Sequence, residues 1–398
     1  MYPRISDIFN DLFNTDVFLL PIQSFGFMVA ITFLVAYYVL KKELERKQAQ
    51  GIFETRPTKV TIGGPMPATD ILIQFAIFGL LGYKIGLMFE DYRAFAFNPQ
   101  EAILSTEGSI LFALLFGLLA AGYQSFLFWK RKDDKAKEVE EQHGIIQDLG
   151  VITTLAFVFG ILGAKIFHNL ENWNSFWQDP INALISFDGL TIYGGLICAG
   201  AAIMYYIHKR GYPVWPAADA FGPVLMLGYG VGRIGCQLAG DGDWGTDNLA
   251  PKPGWLSFMP DWMWSFTYPH NVLKDNPANK IADCGEVWGD YCYELINPVW
   301  PTPFYESVMA FVLFGILWAF RKRLKYAGQM FAVYLMANGI ERFFIEKIRV
   351  NTNYNIFGAE ITQAEIISTL FFLAGVVIFY LATYKWRNRE PEPATQSS

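Results

Sequence analysis

The stretch Tyr229-Gly230-Val231-Gly232-Arg233-Ile234-Gly235-Cys236-Gln237-Leu238-Ala239-Gly240-Asp241-Gly242-Asp243-Trp244-Gly245 places one arginine, Arg233, near the end of an apolar segment studded with glycine. An ionisable side chain at membrane depth marks a functional site by default, because its desolvation needs an anionic partner or a wet cavity. The glycines at 228, 230, 232 and 235 strip side chains from neighbouring faces, which suits close helix packing or the approach of a bulky ligand to backbone. The bland alternative is a packed helix end whose arginine reaches out to the lipid headgroups.

The chain of 398 residues is 53% hydrophobic and 17% charged, where a soluble protein carries about a quarter charged residues. Apolar runs of membrane-crossing length recur near 17–40, 68–89, 107–129, 148–170, 188–208, 217–239, 303–320, 327–348 and 362–384. They are long and continuous, without the alternation of barrel strands, so the expected fold is an all-α polytopic membrane protein of about nine transmembrane helices. The first run lacks a basic leader and a small-residue cleavage pattern, so it reads as a retained span. A net charge of -6 argues against nucleic acid as a partner. The clusters Lys41-Lys42 with Arg46-Lys47, Lys130-Arg131-Lys132, Lys209-Arg210, Arg321-Lys322-Arg323 and Lys385 with Arg387 and Arg389 follow every second span. Those connections are therefore expected in the cytoplasm, with the amino terminus outside and the carboxyl terminus inside.

Residues 70–121 and 151–202 align without a gap at an offset of 81, pairing Gly82 with Gly163, Lys84 with Lys165, Glu90 with Glu171, Pro99 with Pro180, Ser105 with Ser186 and Gly108 with Gly189. The pattern reads as a duplicated helical hairpin in parallel orientation. The second copy carries Asp188-Gly-Leu-Thr-Ile-Tyr193-Gly194-Gly195, while the first has Phe112 in place of Tyr193 and is expected to be scaffold. The expected layout is a first span with its cytoplasmic connection over 1–67, an inserted hairpin over 68–129, and a core over 130–398 with an extracytoplasmic loop at 241–300. That loop is rich in Trp and Pro, and its Cys284 and Cys292 face the oxidising side, where a disulfide can form. Neither close cysteine pairs nor a His-x-x-x-His pattern occurs, so no metal and no cofactor is expected.

Two further constellations sit at span ends. Tyr305 and Glu306 open the run at 303–320, and Arg342, Glu346 and Arg349 are spaced by four and three residues, on one helical stripe. An internal ion-pair ladder is one reading of that stripe. The other starts from the excess of arginine, because a guanidinium binds phosphate through two parallel hydrogen bonds and a phospholipid headgroup supplies the missing anion.

The segment Gly232-Arg233-Ile234-Gly235 followed by Trp244-Gly245 resembles the signature of bacterial prolipoprotein diacylglyceryl transferases. Asp219 before it, Pro301 to Glu306 after it, Arg342 with Glu346 and Arg349, and Ile361-Thr362-Gln363 arrive in that family's order. The resemblance covers about 148–384 with the first span, and residues 68–129 look like an insertion into the common seven-helix form. It departs at Tyr193, where the family usually has histidine, and at Cys236, where it usually has asparagine. Histidine titrates near neutral pH and serves as a base, whereas tyrosine ordinarily titrates near pH 10.

The resemblance implies an enzyme of the bacterial inner membrane that moves the diacylglyceryl group of phosphatidylglycerol to the lipobox cysteine thiol of a prolipoprotein signal peptide, releasing glycerol 1-phosphate. Arg233 and Arg342 are suited to the phosphate, and the base is open among Glu306, Asp241 or Asp243, and Tyr193. Asp219, Gly194, Gly195, Gly235, Gly245, Tyr305, Glu346 and Arg349 are the further residues expected to contact substrate. A transporter for an anionic or lipid substrate is the competing class, favoured by the parallel repeat, although the charged residues do not concentrate in the duplicated part. A phosphatidyltransferase using cytidine diphosphate esters would need a metal-binding aspartate cluster that no span supplies. The topology is tested by cysteine labelling in intact cells: an impermeant probe is expected to miss position 135, and reaction there would reverse the orientation.

Overall fold

The computed structural model describes residues 1–15, 20, 22–62, 69–90, 92–97, 102–103, 105–131, 137–185, 191–273, 278–282, 284–285, 288–350, 353–356 and 359–385. Pro99, Lys132, Ser186, Asp188 and Gly189, the probe position 135, and Arg387 and Arg389 lie outside them. The chain divides into two compact units, one formed by Met1–Glu54 with Met204–Ser398 and the other by Thr55–Ile203.

In the first unit, a short helix α1 (Ile5–Phe13) leads into α2 (Ser24–Ala49). In the second, strand β1 (Arg56–Ile62) pairs antiparallel with β2 (Lys137–His143), and between them run α3 (Thr69–Glu90), α4 (Tyr92–Phe97) and α5 (Ile110–Lys130). That unit continues through α6 (Leu149–Glu171), α7 (Trp173–Gln178), α8 (Pro180–Ile185) and α9 (Ile192–Lys209), whose last turns belong to the first unit. The first unit then adds α10 (Val214–Ala239), α11 (Thr302–Phe320), α12 (Gln329–Ile345) and α13 (Gln363–Tyr380). Its small strand pairs are β3 (Ala278–Lys280) with β4 (Tyr293–Leu295), and β5 (Asn353–Ile356) with β6 (Ala359–Thr362).

Among the described residues, six helices are long and apolar enough to cross a membrane: Ser24–Ala49, Thr69–Glu90, Ile110–Lys130, Leu149–Glu171, Thr302–Phe320 and Gln363–Tyr384. Large apolar side chains such as Leu34, Leu118, Val312 and Leu370 stand exposed on them, the arrangement of a protein whose solvent is lipid. The other three expected spans, at α9, α10 and α12, are also helical. Helix α10 carries the first unit, packing against α2, α11 and α12. Its glycines explain the fit. A Cβ at Gly230 would press on Ala310 at 3.1 Å, one at Gly228 on Thr32 at 3.2 Å, and one at Gly235 on Met28 at 3.0 Å. Of the two uses open for this glycine run, close helix packing accounts for these three. Met226, Ala310, Leu317, Met330, Tyr334 and Leu335 fill the seam between α10, α11 and α12.

The loop over 241–300 folds onto its own core of Trp244, Tyr268, Leu295 and Val299, and Cys284 and Cys292 are joined by a disulfide. Basic residues that served to orient the chain also bind within it: Glu43 of α2 accepts a hydrogen bond from Arg46 Nε at 2.9 Å and pairs with Arg321 Nε at 3.2 Å.

Asp219 is buried near the start of α10, and its two carboxylate oxygens accept the backbone N–H groups of Gly328 and Phe331, each at 2.8 Å. These are orphan donors at the first turn of α12, where negative charge also meets the positive end of the helix dipole. Asp219→Ala leaves both donors buried without an acceptor, at a cost of about 1–3 kcal/mol for each. The apparent melting temperature of the purified variant should drop by several degrees; an unchanged value contradicts the capping role.

Candidate functional site

The site grows from the end of α10. Gly240 and Gly242, at φ +63° and +95°, turn the chain sharply, so that Asp241 and Asp243 return toward the helix they have just left. Gly245 then runs against the segment following α12. Its N–H donates to Trp300 O at 2.8 Å, the next N–H, of Thr246, donates to Ile348 O at 2.8 Å, and a Cβ at Gly245 would sit 2.8 Å from that of Trp300. Thr302 Oγ1 donates to Asp243 O at 2.7 Å and fixes the carbonyl behind the acid.

Four segments then converge on one carboxylate. Glu306, in the first turns of α11, is wholly buried. Arg233 Nε lies 2.7 Å from its Oε2, while Arg342 Nη1 and Arg349 Nη1 donate to its Oε1 at 2.8 and 3.1 Å. Asp243 is the second bridge, pairing with Arg233 Nη1 through Oδ2 and with Arg349 Nη2 through Oδ1 at 2.6 Å. Glu346 stands 3.7 Å from Arg342 Nη2. The excess of arginine expected from the sequence is thus met inside the protein: Glu306, Asp243 and Glu346 accompany the three guanidinium groups. The helical stripe also ends early. Helix α12 stops at Ile345, a 3-10 turn over Glu346–Ile348 tightens the chain, and Arg349 enters in extended conformation, opposite Gly245 in a bridge.

Asp241 and Asp243 differ in kind. Burial works against the charge of Asp243, but Arg233 and Arg349 outweigh it and hold the carboxyl down to about 2. For Asp241, burial first and the charge of Asp243 second push the carboxyl up from its ordinary value. Its neighbour is the thiol of Cys236, and ligand atoms of Cys236, Asp241 and Asp243 lie within 4.8 Å of one another. The set resembles a cation site in composition only, since Arg233 Nη1 touches Cys236 Sγ at 3.7 Å and two guanidinium groups already carry positive charge there.

Of the residues singled out in the sequence, Arg233, Arg342, Arg349, Glu306, Glu346, Asp241 and Gly245 come together. Asp219 lies fourteen residues before Arg233 in α10, roughly 21 Å along the axis. Gly235 faces α2, and Tyr305 OH donates to Met263 O at 2.7 Å. Tyr193, Gly194 and Gly195 belong to the other unit, where Gly195 backs onto Gly160 of α6. Sequence reading missed two neighbours of the cluster. Tyr229, one turn before Arg233, has its ring 5.3 Å beneath that guanidinium and its hydroxyl 3.5 Å from Glu341 Oε1. Glu341 is buried one residue ahead of Arg342, off the expected stripe, and the rule that flagged the arginines as costly charges applies to it equally.

Comparison with known proteins gives a single family. The family described as prolipoprotein diacylglyceryl transferase matches residues 112–381. A phosphatidylglycerol–prolipoprotein diacylglyceryl transferase from Corynebacterium efficiens is 28% identical over 240 residues, 59% of this chain and 67% of that protein. The protein of that name from Thermus thermophilus is 32% identical over 200 residues, 49% and 67% of the two chains. One from Dehalococcoides mccartyi is 24% identical over 286 residues and is covered to 94%.

The depressed carboxyl of Asp243 carries a sign that can be measured. Its arginine pairing stabilises the fold at pH values above the ordinary carboxylate value of 3.8, and that contribution is lost as pH falls through about 2. Asp243→Asn should therefore lower the apparent melting temperature at neutral pH, with the gap to the parent closing below pH 4. A gap that stays constant on acidification contradicts the pairing.

Proposed function

The chain belongs to the prolipoprotein diacylglyceryl transferase family, and from that premise we propose that the cluster of Arg233, Arg342 and Arg349 holds the phosphate of its lipid substrate. The protein is a multi-pass membrane transferase that moves the diacylglyceryl group from phosphatidylglycerol to prolipoprotein, in the maturation of lipoproteins. One observation carries the site assignment: three guanidinium groups from three segments meet at a buried carboxylate, in a family whose leaving group is a phosphate ester.

The acceptor is the thiol of the lipobox cysteine. Its thiolate attacks the glyceryl carbon that bears the phosphate ester, the C–S bond forms as the C–O bond breaks, and the electron pair leaves with glycerol 1-phosphate. Negative charge grows on the phosphate during that step, so donors aimed at it act more strongly in the transition state than before it. Phosphate replaces a carboxylate on Arg233 as the lipid enters. Asp243, whose carboxyl two arginines hold well below its ordinary value, is a weak base for the thiol proton. Asp241, whose carboxyl burial raises, takes the proton. On the family resemblance alone we also assign Tyr193, Gly194 and Gly195 to substrate contact, while Tyr305 and Gly235 hold neighbouring segments in place and Asp219 caps α12.

We place the enzyme in the bacterial inner membrane with nine crossings, its amino terminus and the 241–300 loop outside and its carboxyl terminus in the cytoplasm, with the hairpin at 68–129 as an inserted scaffold copy. Support for the duplication comes from matching contacts. Gly82 approaches the backbone of Phe112 as Gly163 approaches that of Gly194, and Ser109 N bonds to Tyr83 O at 2.9 Å as Thr191 N bonds to Ala164 O at 3.1 Å. The first helices correspond at an offset of 81 and the second at 82, so the contacts favour one inserted residue over the ungapped register. In the first copy Lys84 satisfies the carbonyls of Ala102 and Glu107, at 3.2 and 2.8 Å, a structural use of the ammonium group.

Arg233→Lys retains charge and loses the planar fork. Transfer to a lipobox peptide by the purified variant should fall on the order of a hundredfold or more, the usual effect of removing one donor aimed at developing charge. Asp241→Asn should likewise be slow and should lose the acid limb of the pH–rate profile. A parent-like rate for Arg233→Lys removes the arginine from the chemistry, and a retained acid limb removes Asp241.

A further inference from the structure

We propose that residues 248–265 form a rigid membrane-inserted finger whose exposed side chains Leu249, Trp255 and Phe258 sit among the lipids at the bilayer surface from which the loop emerges. The segment closes on itself. Asn248 Nδ2 donates to Trp264 O at 2.6 Å, Ser265 Oγ donates to Asn248 O at 3.1 Å, and Trp264 Nε1 donates to Ala250 O at 2.9 Å. Lys252 Nζ braces the inside by donating to Met259 O at 2.7 Å and pairing with Asp261. Pro251, Pro253 and Pro260 stiffen the path, and two 3-10 turns, Gly254–Leu256 and Asp261–Met263, bend it.

The loop packs Trp262 and Trp264 inward, on Phe304 and Trp300, yet it turns other large apolar groups outward. Leu249 is 72% exposed, Trp255 75% and Phe258 80%. Lys252 and Asp261 carry the only side-chain charges in the segment, and they neutralise each other. An exposed apolar patch without charge marks an interaction surface. The partner is set by what the finger stands on. Trp262 packs on Phe304 with ring centroids 5.1 Å apart, and Tyr305 OH donates to Met263 O at 2.7 Å. Phe304 and Tyr305 are in the first turn of α11, a membrane-spanning helix, so the base of the finger is fixed at the boundary between water and hydrocarbon. Tryptophan and its apolar companions at that depth are favoured by the interface itself. Because Asn248 follows closely on Asp243 in the chain, seating the finger in the bilayer also fixes the height of the segment that carries Asp243.

The proposal depends on the membrane reading alone, not on the assignment of the arginine site. Its test is photocrosslinking with benzoylphenylalanine placed in turn at Phe258 and Trp255, in protein reconstituted into bilayers of phosphatidylcholine and phosphatidylglycerol. Intact phospholipid is expected as the major adduct at both positions. Failure to form lipid adducts in correctly folded protein overturns the proposal, as do adducts formed only with added lipobox peptide. The unsubstituted protein gives a second reading: hydroxyl-radical oxidation of Trp255 and Phe258 in the same bilayers should be several-fold slower than that of the same two residues in the denatured chain, and oxidation at the rate of a fully solvated aromatic overturns the proposal.

Discussion

The site depends on one buried carboxylate. Glu306 has no exposure to solvent and meets Arg233, Arg342 and Arg349 at hydrogen-bonding distance. A charge taken so far from water is costly unless its partners are close and well directed, and removal of one partner from such a group strands the others. That constraint ties α10, α11, the end of α12 and the extended segment after it into one arrangement. It also keeps three guanidinium groups together, although without a counterion they would repel one another. In the proposed function a phosphate arriving here would find cations already gathered and oriented, the cost of gathering them met by folding.

The carboxylates around the cluster divide the work. Asp243 is held as an anion by two arginines, while Asp241, close in the same turn but unpaired with arginine, is pushed toward the protonated form by burial and by its neighbour's charge. Two like groups with opposed environments suit the proposed division between a fixed counterion and a proton carrier. Cys236, beside both, lends the cluster a polarizable contact to Arg233.

Much of this was legible in the sequence, for physical reasons that differ by residue. Arginines inside apolar runs stand out because the membrane makes them expensive, so Arg233 and Arg342 were identifiable without any structure. Their partners were less so. Asp243 reaches Arg233 only because Gly240 and Gly242 reverse the chain, and Glu306 reaches it only through the packing of α11 on α10, distances that spacing along the sequence does not encode. The expected surplus of arginine was therefore an artefact of counting within spans. Arg349 was assigned to a helix that ends before it, because a 3-10 turn preserves the apparent spacing. The pairing of β1 with β2 was illegible for another reason: Lys137-Glu-Val-Glu-Glu-Gln-His143 has no apolar face to announce a strand.

Contact between the lipid phosphate and the arginine cluster can be measured without turnover. Rotational-echo double-resonance NMR between the phosphorus of phosphatidylglycerol and guanidinium nitrogens labelled with 15N, in the bilayer-embedded protein, reports their separation directly. Strong dephasing is expected for the bound lipid in the parent, and its loss in Arg233→Ala. Dephasing that is absent in the parent, or that survives the substitution unchanged, would contradict it.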